Sequence, residues 1–390
     1  MITRVTVLGS TGSIGRQTLE VAARSGGRLR IVALAAGRDF EALAAQAAVV
    51  RPLALGLESA ADPGLARRRL AEAAPGARIE IGPGAATRLA AEVEAEVVVN
   101  GVVGAAGLEP SLAALARGAR LALANKETLV IGAPLVKAAL ARGGGTLLPV
   151  DSEHSAALQC LGGRPPREVL RLTITASGGA LREHPDWRRA TREEVLAHPV
   201  WPMGDRITVD SALMFNKGLE LIEAHALFDL DWGQLEAVLQ PEARLHAWAT
   251  FIDGSTVVQA ARPDMALPIQ VALSWPERWP GGIAPLAAVD LAGLTVLPIM
   301  PERYPAYVLA LAAGRAGGTA PCVLNAADEV AVRAFLDGAI GIAGVPDIVA
   351  RVLESHSIAQ VESVEQLRAV DAAARARAHE AVHAARAGHA

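Results

Sequence analysis

The stretch Ile2-Thr3-Arg4-Val5-Thr6-Val7-Leu8-Gly9-Ser10-Thr11-Gly12-Ser13-Ile14-Gly15 sets the architecture of the first part of the chain. Residues 2–8 are apolar or β-branched with a single charge, and read as a buried strand. Gly9 to Gly15 follows with the spacing G-x-x-G-x-x-G, and Arg16 to Ala23 reads as a helix. Glycines at a strand-to-helix turn permit a tight reversal. They also let the backbone approach a pyrophosphate, which then lies on the helix N-terminus. Strand-to-helix turns of this composition also occur without a nucleotide, so the spacing alone leaves both readings open.

Outward from that turn, Leu29–Ala35 reads as a second strand. Short apolar and helical stretches alternate through Val97–Asn100, Leu108–Ala116, Arg120–Ala124, Leu129–Ala141 and Thr146–Val150. This alternation predicts a doubly wound parallel sheet, an α/β Rossmann-like domain over residues 1–149. From Val150 the texture changes. Leu170–Thr175 and Ile207–Val209 read as strands, and Phe215–Leu227 as a helix. Leu245–Phe251 and Thr256–Gln259 read as a hairpin about Asp253-Gly254-Ser255. An α+β domain is expected over 150–276, a Pro- and Gly-rich linker over 277–303, and an all-α domain over 304–390.

A chain of 390 residues has room for two or three cores. Its hydrophobic share of 52% argues against disorder. A net charge of -4 gives no reason to expect nucleic acid or an acidic membrane as partner, so a phosphate site must be a local cluster. The longest uncharged runs are about 12 residues, short of the roughly 20 that a membrane span needs. The two cysteines, Cys160 and Cys322, lie in apolar surroundings and read as buried free thiols of a reducing, cytoplasmic compartment.

Asp151 and Glu153 follow the last strand of the first domain. In an extended segment, positions i and i+2 share one face. Two hard carboxylates suit Mg²⁺ or Mn²⁺ better than Zn²⁺. Asp151 or Ser152 could instead cap the helix that follows. Asn216 and Glu220 share a helix face, with Lys217 beside them, and each is equally at home on a solvated surface. Asn125-Lys126-Glu127 ends another strand, where it could face a ligand or cap a helix. Ser177-Gly178-Gly179 is an anion-binding nest or a plain turn. Arg38, in the turn after the second strand, suits a 2′-phosphate, while neighbouring Asp39 suits a ribose hydroxyl. His198 and Trp201 stand between prolines, in a surface loop or a lid spanning about 192–206.

Taken together these segments resemble the 1-deoxy-D-xylulose 5-phosphate reductoisomerases. The resemblance runs through Gly9–Gly15, Ala124–Glu127, Leu148–His154, Ser177–Gly179, His198–Gly204, Asn216–Glu220, Pro263–Met265 and Val323–Ala327, nearly the whole chain. It implies an NADPH-dependent, metal-dependent rearrangement and reduction of 1-deoxy-D-xylulose 5-phosphate to 2-C-methyl-D-erythritol 4-phosphate, in non-mevalonate isoprenoid biosynthesis. It implies a homodimer, and a metal (Mg²⁺ or Mn²⁺, with Co²⁺ also admissible) held by Asp151, Glu153 and Glu220. Ser177, His198, Ser211, Asn216 and Lys217 would hold the substrate, mostly by its phosphate, and Ser152, Lys126 and Glu127 would contact substrate or cofactor. Thr11, Gly12, Ser13, Ile14, Gly37, Arg38, Asp39, Asn125, Glu127 and Gly204 would line the cofactor site, and Trp201 and Met203 would belong to a closing lid. The chain departs from the family pattern at Asp39, Arg206, Leu213, Ala266 and Asp328, where asparagine, lysine, threonine, a basic residue and asparagine are usual. Two other readings are kept: a different NADP-dependent dehydrogenase, sharing only the Gly-rich turn, and a non-catalytic homologue that binds NADPH and phosphate.

Overall fold

The computed structural model describes residues 2–201 and 204–387. In chain order the larger elements begin with β1 (Thr3–Leu8), α1 (Ser13–Arg24), β2 (Leu29–Ala36), α2 (Phe40–Val50), β3 (Ala54–Leu57), α3 (Pro63–Ala73), β4 (Arg78–Ile81) and α4 (Ala85–Glu92). Then come β5 (Val97–Asn100), α5 (Leu108–Ala116), β6 (Arg120–Leu123), α6 (Glu127–Gly143), β7 (Thr146–Pro149), α7 (Ser152–Leu161), β8 (Val169–Ala176), α8 (Arg192–Leu196), α9 (Asp205–Ala212) and α10 (Phe215–Phe228). The rest are β9 (Leu235–Leu239), β10 (Leu245–Phe251), β11 (Thr256–Ala260), α11 (Ala266–Ser274), β12 (Leu297–Pro298), α12 (Pro305–Ala316), α13 (Ala320–Leu336), α14 (Gly344–Glu354) and α15 (Val364–Ala387). The chain forms two compact units. One takes Met1–Thr128, Pro134–Ser155 and Asp264–Ala284, and the other Leu129–Ala133, Ala156–Pro263 and Pro285–Ala390.

The first unit is built on a seven-stranded sheet in the order β4-β3-β2-β1-β5-β6-β7, with every pair parallel. The expected Rossmann-like domain is therefore present. Central strands such as β5, Val-Val-Val-Asn, are buried along their whole length, as a sheet covered on both faces requires. Acidic side chains start three of the helices, α2, α3 and α4. Asp39 accepts from Ala42 N at 3.0 Å, Asp62 from Leu65 N at 2.9 Å, and Glu58 from Gly84 N at 2.8 Å and Ala86 N at 2.7 Å. The strand order reverses between β1 and β5, so the crevice beyond their carboxyl ends is the place for a ligand.

The second unit has a mixed sheet, β11-β10-β8-β9-β12. β8 and β9 are parallel and the other neighbours antiparallel. Leu172 and Ile174 of β8, Leu221 of α10 and Tyr304 and Tyr307 before and within α12 share one buried cluster with Cys160. Both cysteines are buried and free, as their surroundings suggested, and burial pushes the Cys160 thiol up to about 11 and Cys322 to about 12. The expected C-terminal helices are α12 to α15. No described helix is long and apolar enough to cross a membrane.

Two expectations give way. Ile207–Val209, read as a strand from its β-branched residues, is the middle of helix α9. Thr208 Oγ1 donates back to Gly204 O at 3.1 Å, and Arg206 bonds to α13, so tertiary contact overrides a weak local preference. The span 192–206 is also not irregular throughout. Arg192–Leu196 is a helical turn fixed by a capping box between Thr191 and Glu194, and the segment from Asp205 on is helix again. Met203, expected in the lid, lies outside the described residues.

Candidate functional site

In the first unit, four loops stand at the carboxyl edge of the parallel sheet. The turn after β1 carries Thr11, Gly12, Ser13 and Ile14. Gly9 has φ of 75°, and a Cβ there would come within 2.5 Å of Gly101 O, beyond β5. At Gly15 a Cβ would meet Gly9 O at 2.4 Å. Only glycine lets the turn fold this tightly against its helix and against the neighbouring strand's loop. Gly12 stands at the N-cap of α1 with no side-chain cap, the arrangement in which first-turn N–H groups are available to an anion. The turn after β2 presents Gly37, Arg38 and Asp39, all exposed. Asp39 caps α2, which gives it a local role in addition to any toward a ribose.

Beyond β6, Asn125 is buried and holds its surroundings. Nδ2 lies 2.8 Å from Val102 O, 2.9 Å from Gly104 O and 2.8 Å from Glu127 Oε2. Oδ1 accepts from Thr128 N at 2.9 Å and from Thr128 Oγ1 at 2.5 Å. Acceptors on one side and donors on the other fix the orientation of the amide. Asn125 thereby aims the Glu127 carboxylate. Lys126 Nζ lies 2.7 Å from Asp151 Oδ2, beyond β7. Asp151 Oδ1 accepts from Ser152 N at 2.9 Å, and Ser152 Oγ donates to Glu153 Oε2 at 2.5 Å.

Asp151 and Glu153 are placed differently from the extended run expected. They do not lie on one face of an extended segment, because α7 begins at Ser152 and Glu153 is in its first turn. Asp151 O accepts from Ser155 N at 2.8 Å, as the residue before a helix does. A carboxylate oxygen of each lies within 4.8 Å of the other's across this strand-to-helix junction.

In the second unit, Gly178 and Gly179 have φ of 84° and 64° in the loop after β8, and Gly179 N donates to Ser177 Oγ at 3.2 Å. The same hydroxyl lies 3.1 Å from His198 Nε2. His198 Nδ1 accepts from Val200 N at 3.2 Å and from Trp201 N at 2.9 Å, which places the ring proton on Nε2, where it donates to Ser177. Burial lowers the His198 pKa and keeps the ring neutral. Gly204 opens α9, which ends near Ser211. Met214, at a left-handed φ of 58°, turns the chain into α10. There Asn216 and the buried Lys217 both donate to the buried Glu220 carboxylate. A lysine taken out of water needs such a partner. His246 is buried too, and burial lowers its pKa to about 4.

The structure thus gathers Ser177 with His198, and Asn216 with Lys217 and Glu220, in one unit. In the other it gathers Asn125 with Glu127, and Lys126 with Asp151, Ser152 and Glu153. Sequence reading did not connect Arg206 with Asn325, Asp328 and Glu329, because more than a hundred residues separate them.

Family models described as 1-deoxy-D-xylulose 5-phosphate reductoisomerase, its C-terminal domain, and DXP reductoisomerase C-terminal domain match residues 5–133, 147–228 and 261–377. A 1-deoxy-D-xylulose 5-phosphate reductoisomerase of Heliobacterium modesticaldum is 47% identical over 385 residues, covering 98% of each chain. The solved Zymomonas mobilis enzyme in complex with NADPH is 37% identical at a TM-score of 0.90, covering 98% of this chain and 99% of that one. A solved DOX-P reductoisomerase in complex with NADPH, fosmidomycin and magnesium is 33% identical at a TM-score of 0.90, covering 98% of each. With its length, its fold and its loops all matched, this chain belongs to the 1-deoxy-D-xylulose 5-phosphate reductoisomerase family.

Proposed function

We propose that the chain converts 1-deoxy-D-xylulose 5-phosphate to 2-C-methyl-D-erythritol 4-phosphate with NADPH and a divalent metal, using the residues assigned below. The observation that carries this reading is the family match over the full length, with solved relatives in complex with NADPH and magnesium. The division of labour follows the sequence: residues 1–149 for cofactor, 150–276 for metal and substrate with the lid near 192–206, and 304–390 as a helical domain.

Asp151, Glu153 and Glu220 would hold the metal. The fit is chemical: three hard oxygen donors with no thiol or imidazole among them, a set suited to Mg²⁺ or Mn²⁺. When bound, the ion supplies Lewis-acid stabilisation of negative charge on substrate oxygens. Lys126 and Lys217 stand beside two of these carboxylates, paired with Asp151 and Glu220. Ser177, His198, Ser211, Asn216 and Lys217 would grip the phosphate. The neutral His198, with its proton on Nε2, is arranged to donate. Binding energy from a group remote from the reacting bonds can be used to orient the substrate and close Trp201 over it.

Thr11 to Ile14, Gly37, Arg38, Asp39, Asn125, Glu127 and Gly204 would line the NADPH site, and NADPH supplies the hydride. Arg38 would read the 2′-phosphate, and Lys126 and Ser152 would touch the substrate. A homodimer is the expected assembly. Support comes from β11, an edge strand with Val257 and Val258 exposed by 44% and 49%, which is open to pairing. Two free buried thiols favour a reducing, cytoplasmic setting.

The test is to mix the protein with 1-deoxy-D-xylulose 5-phosphate, Mg²⁺ and NADPH and follow the nicotinamide absorbance. Absorbance should fall only with all components present. Absence of turnover, with NADPH still bound, would favour a non-catalytic homologue, and turnover in excess chelator would favour another dehydrogenase.

A further inference from the structure

Helix α9 has 8 residues and starts on Gly204, which supplies no side-chain cap. So short a helix is marginal by itself, and its placement depends on tertiary bonds. Arg206, in its first turn, supplies several. Nη1 donates to Glu329 Oε1 at 2.8 Å, and Nη2 to Asn325 Oδ1 at 3.0 Å and Asp328 Oδ2 at 3.3 Å, all on α13. Nε lies 3.6 Å from Asp210 Oδ2 on α9 itself. The acceptors are held in turn: Asn325 Nδ2 donates to Glu329 Oε1 at 3.2 Å, and Arg375 of α15 to Glu329 Oε2 at 2.5 Å. Asn325 and Asp328 are fully buried, each 0% exposed. A part-buried polar cluster contributes little net stability compared with apolar packing, but a planar guanidinium held at several points fixes one geometry.

The other end of α9 carries Ser211. Its carbonyl stands so close to Gly179 that a Cβ there would come within 2.5 Å. Any rotation of α9 about its first turn must therefore displace Ser211 against the Ser177–Gly179 loop.

We propose that Arg206, gripped by Asn325, Asp328 and Glu329, is a positioning residue that sets Ser211 for the phosphate of the substrate. This rests on the assignment of Ser211 to the phosphate site made above. The contact with substrate remains that of Ser211 and its neighbours, and Arg206 acts through them.

Arg206→Lys keeps the charge but loses the fork, and Asn325→Ala removes one acceptor. Each should raise KM for 1-deoxy-D-xylulose 5-phosphate about tenfold, the scale of one charge-assisted bond. KM for NADPH should rise clearly less, because Gly204 is the single assigned cofactor contact at the N-cap of α9 and the others lie in the first unit. The double variant should be no worse than the worse single one, since both break the same contact. Hydrogen exchange of residues 205–212 should quicken in all three variants. An active parent whose variants show unchanged substrate KM, or equal changes in both KM values, overturns the proposal and leaves a purely structural cluster. A parent with no turnover overturns the functional reading instead, and exchange at 205–212 then still reports whether Arg206 holds the helix.

Discussion

Replacing Asn125 by aspartate changes one NH₂ to oxygen at nearly constant shape. The Nδ2 position faces three acceptors, Val102 O at 2.8 Å, Gly104 O at 2.9 Å and Glu127 Oε2 at 2.8 Å. The two N–H groups serve three acceptors, so the loss amounts to one neutral bond at about 1 kcal/mol and one to a carboxylate at about 2 kcal/mol, together about 3 kcal/mol. The residue is 2% exposed, so water cannot substitute, and the new carboxylate stands against Glu127. At roughly 2–4 °C per kcal/mol, melting of the first unit should fall by roughly 6–12 °C. NADPH affinity should fall as well, since the loop at Val102–Gly104 and the Glu127 carboxylate lose their common tether. The introduced carboxyl would have a raised pKa in the folded state, so its cost grows as pH rises and shrinks in acid. Thermal melting and NADPH fluorescence titration at two pH values measure both effects. A variant that melts with the parent at pH 8 would refute the reasoning.

Three further outcomes are expected. Arg38→Ala should raise KM for NADPH on the order of tenfold to a hundredfold more than that for NADH, and an equal effect on both would remove Arg38 from the 2′-phosphate. Glu220→Gln should weaken Mn²⁺ binding in calorimetry while NADPH still binds; unchanged Mn²⁺ affinity would take Glu220 out of the ligand set. Burial, with Asp210 beside it, holds the Asp328 carboxyl well above its ordinary 3.8, and Arg206 offsets this only in part. The unfolded chain therefore loses that proton first, and native stability declines as pH rises from about 4 toward the folded pKa. The melting temperature of Asp328→Asn, relative to the parent, should climb between about pH 4 and pH 8, and a falling difference would reverse the assigned direction.

Much was decided by local order along the chain. The run from Ile2 to Gly15 specifies strand, turn and helix, because burial, periodicity and glycine's freedom at positive φ all act within a few residues. The same holds for the junctions after β6 and β7, which put Asn125 to Glu127 and Asp151 to Glu153 at the carboxyl edge of a parallel sheet. The types of residue at those junctions, and their likeness to a known family, carried the reading of metal, phosphate and nucleotide. What local order could not decide is what long-range contact decides. Ile207–Val209 has the composition of a strand, yet Arg206 ties that segment to α13 and it folds as helix. Glu153 belongs to the first turn of α7 and not to an extended run. Asp264–Ala284 packs into the first unit although the chain reaches it only after β11, since packing follows apolar contact and not sequence distance. Arg206 and Asp328 looked like unrelated departures, 122 positions apart, until the fold set them 3.3 Å from each other. A bond that depends on two distant side chains meeting in partly buried surroundings leaves no local signal in either, and only the tertiary structure supplies it.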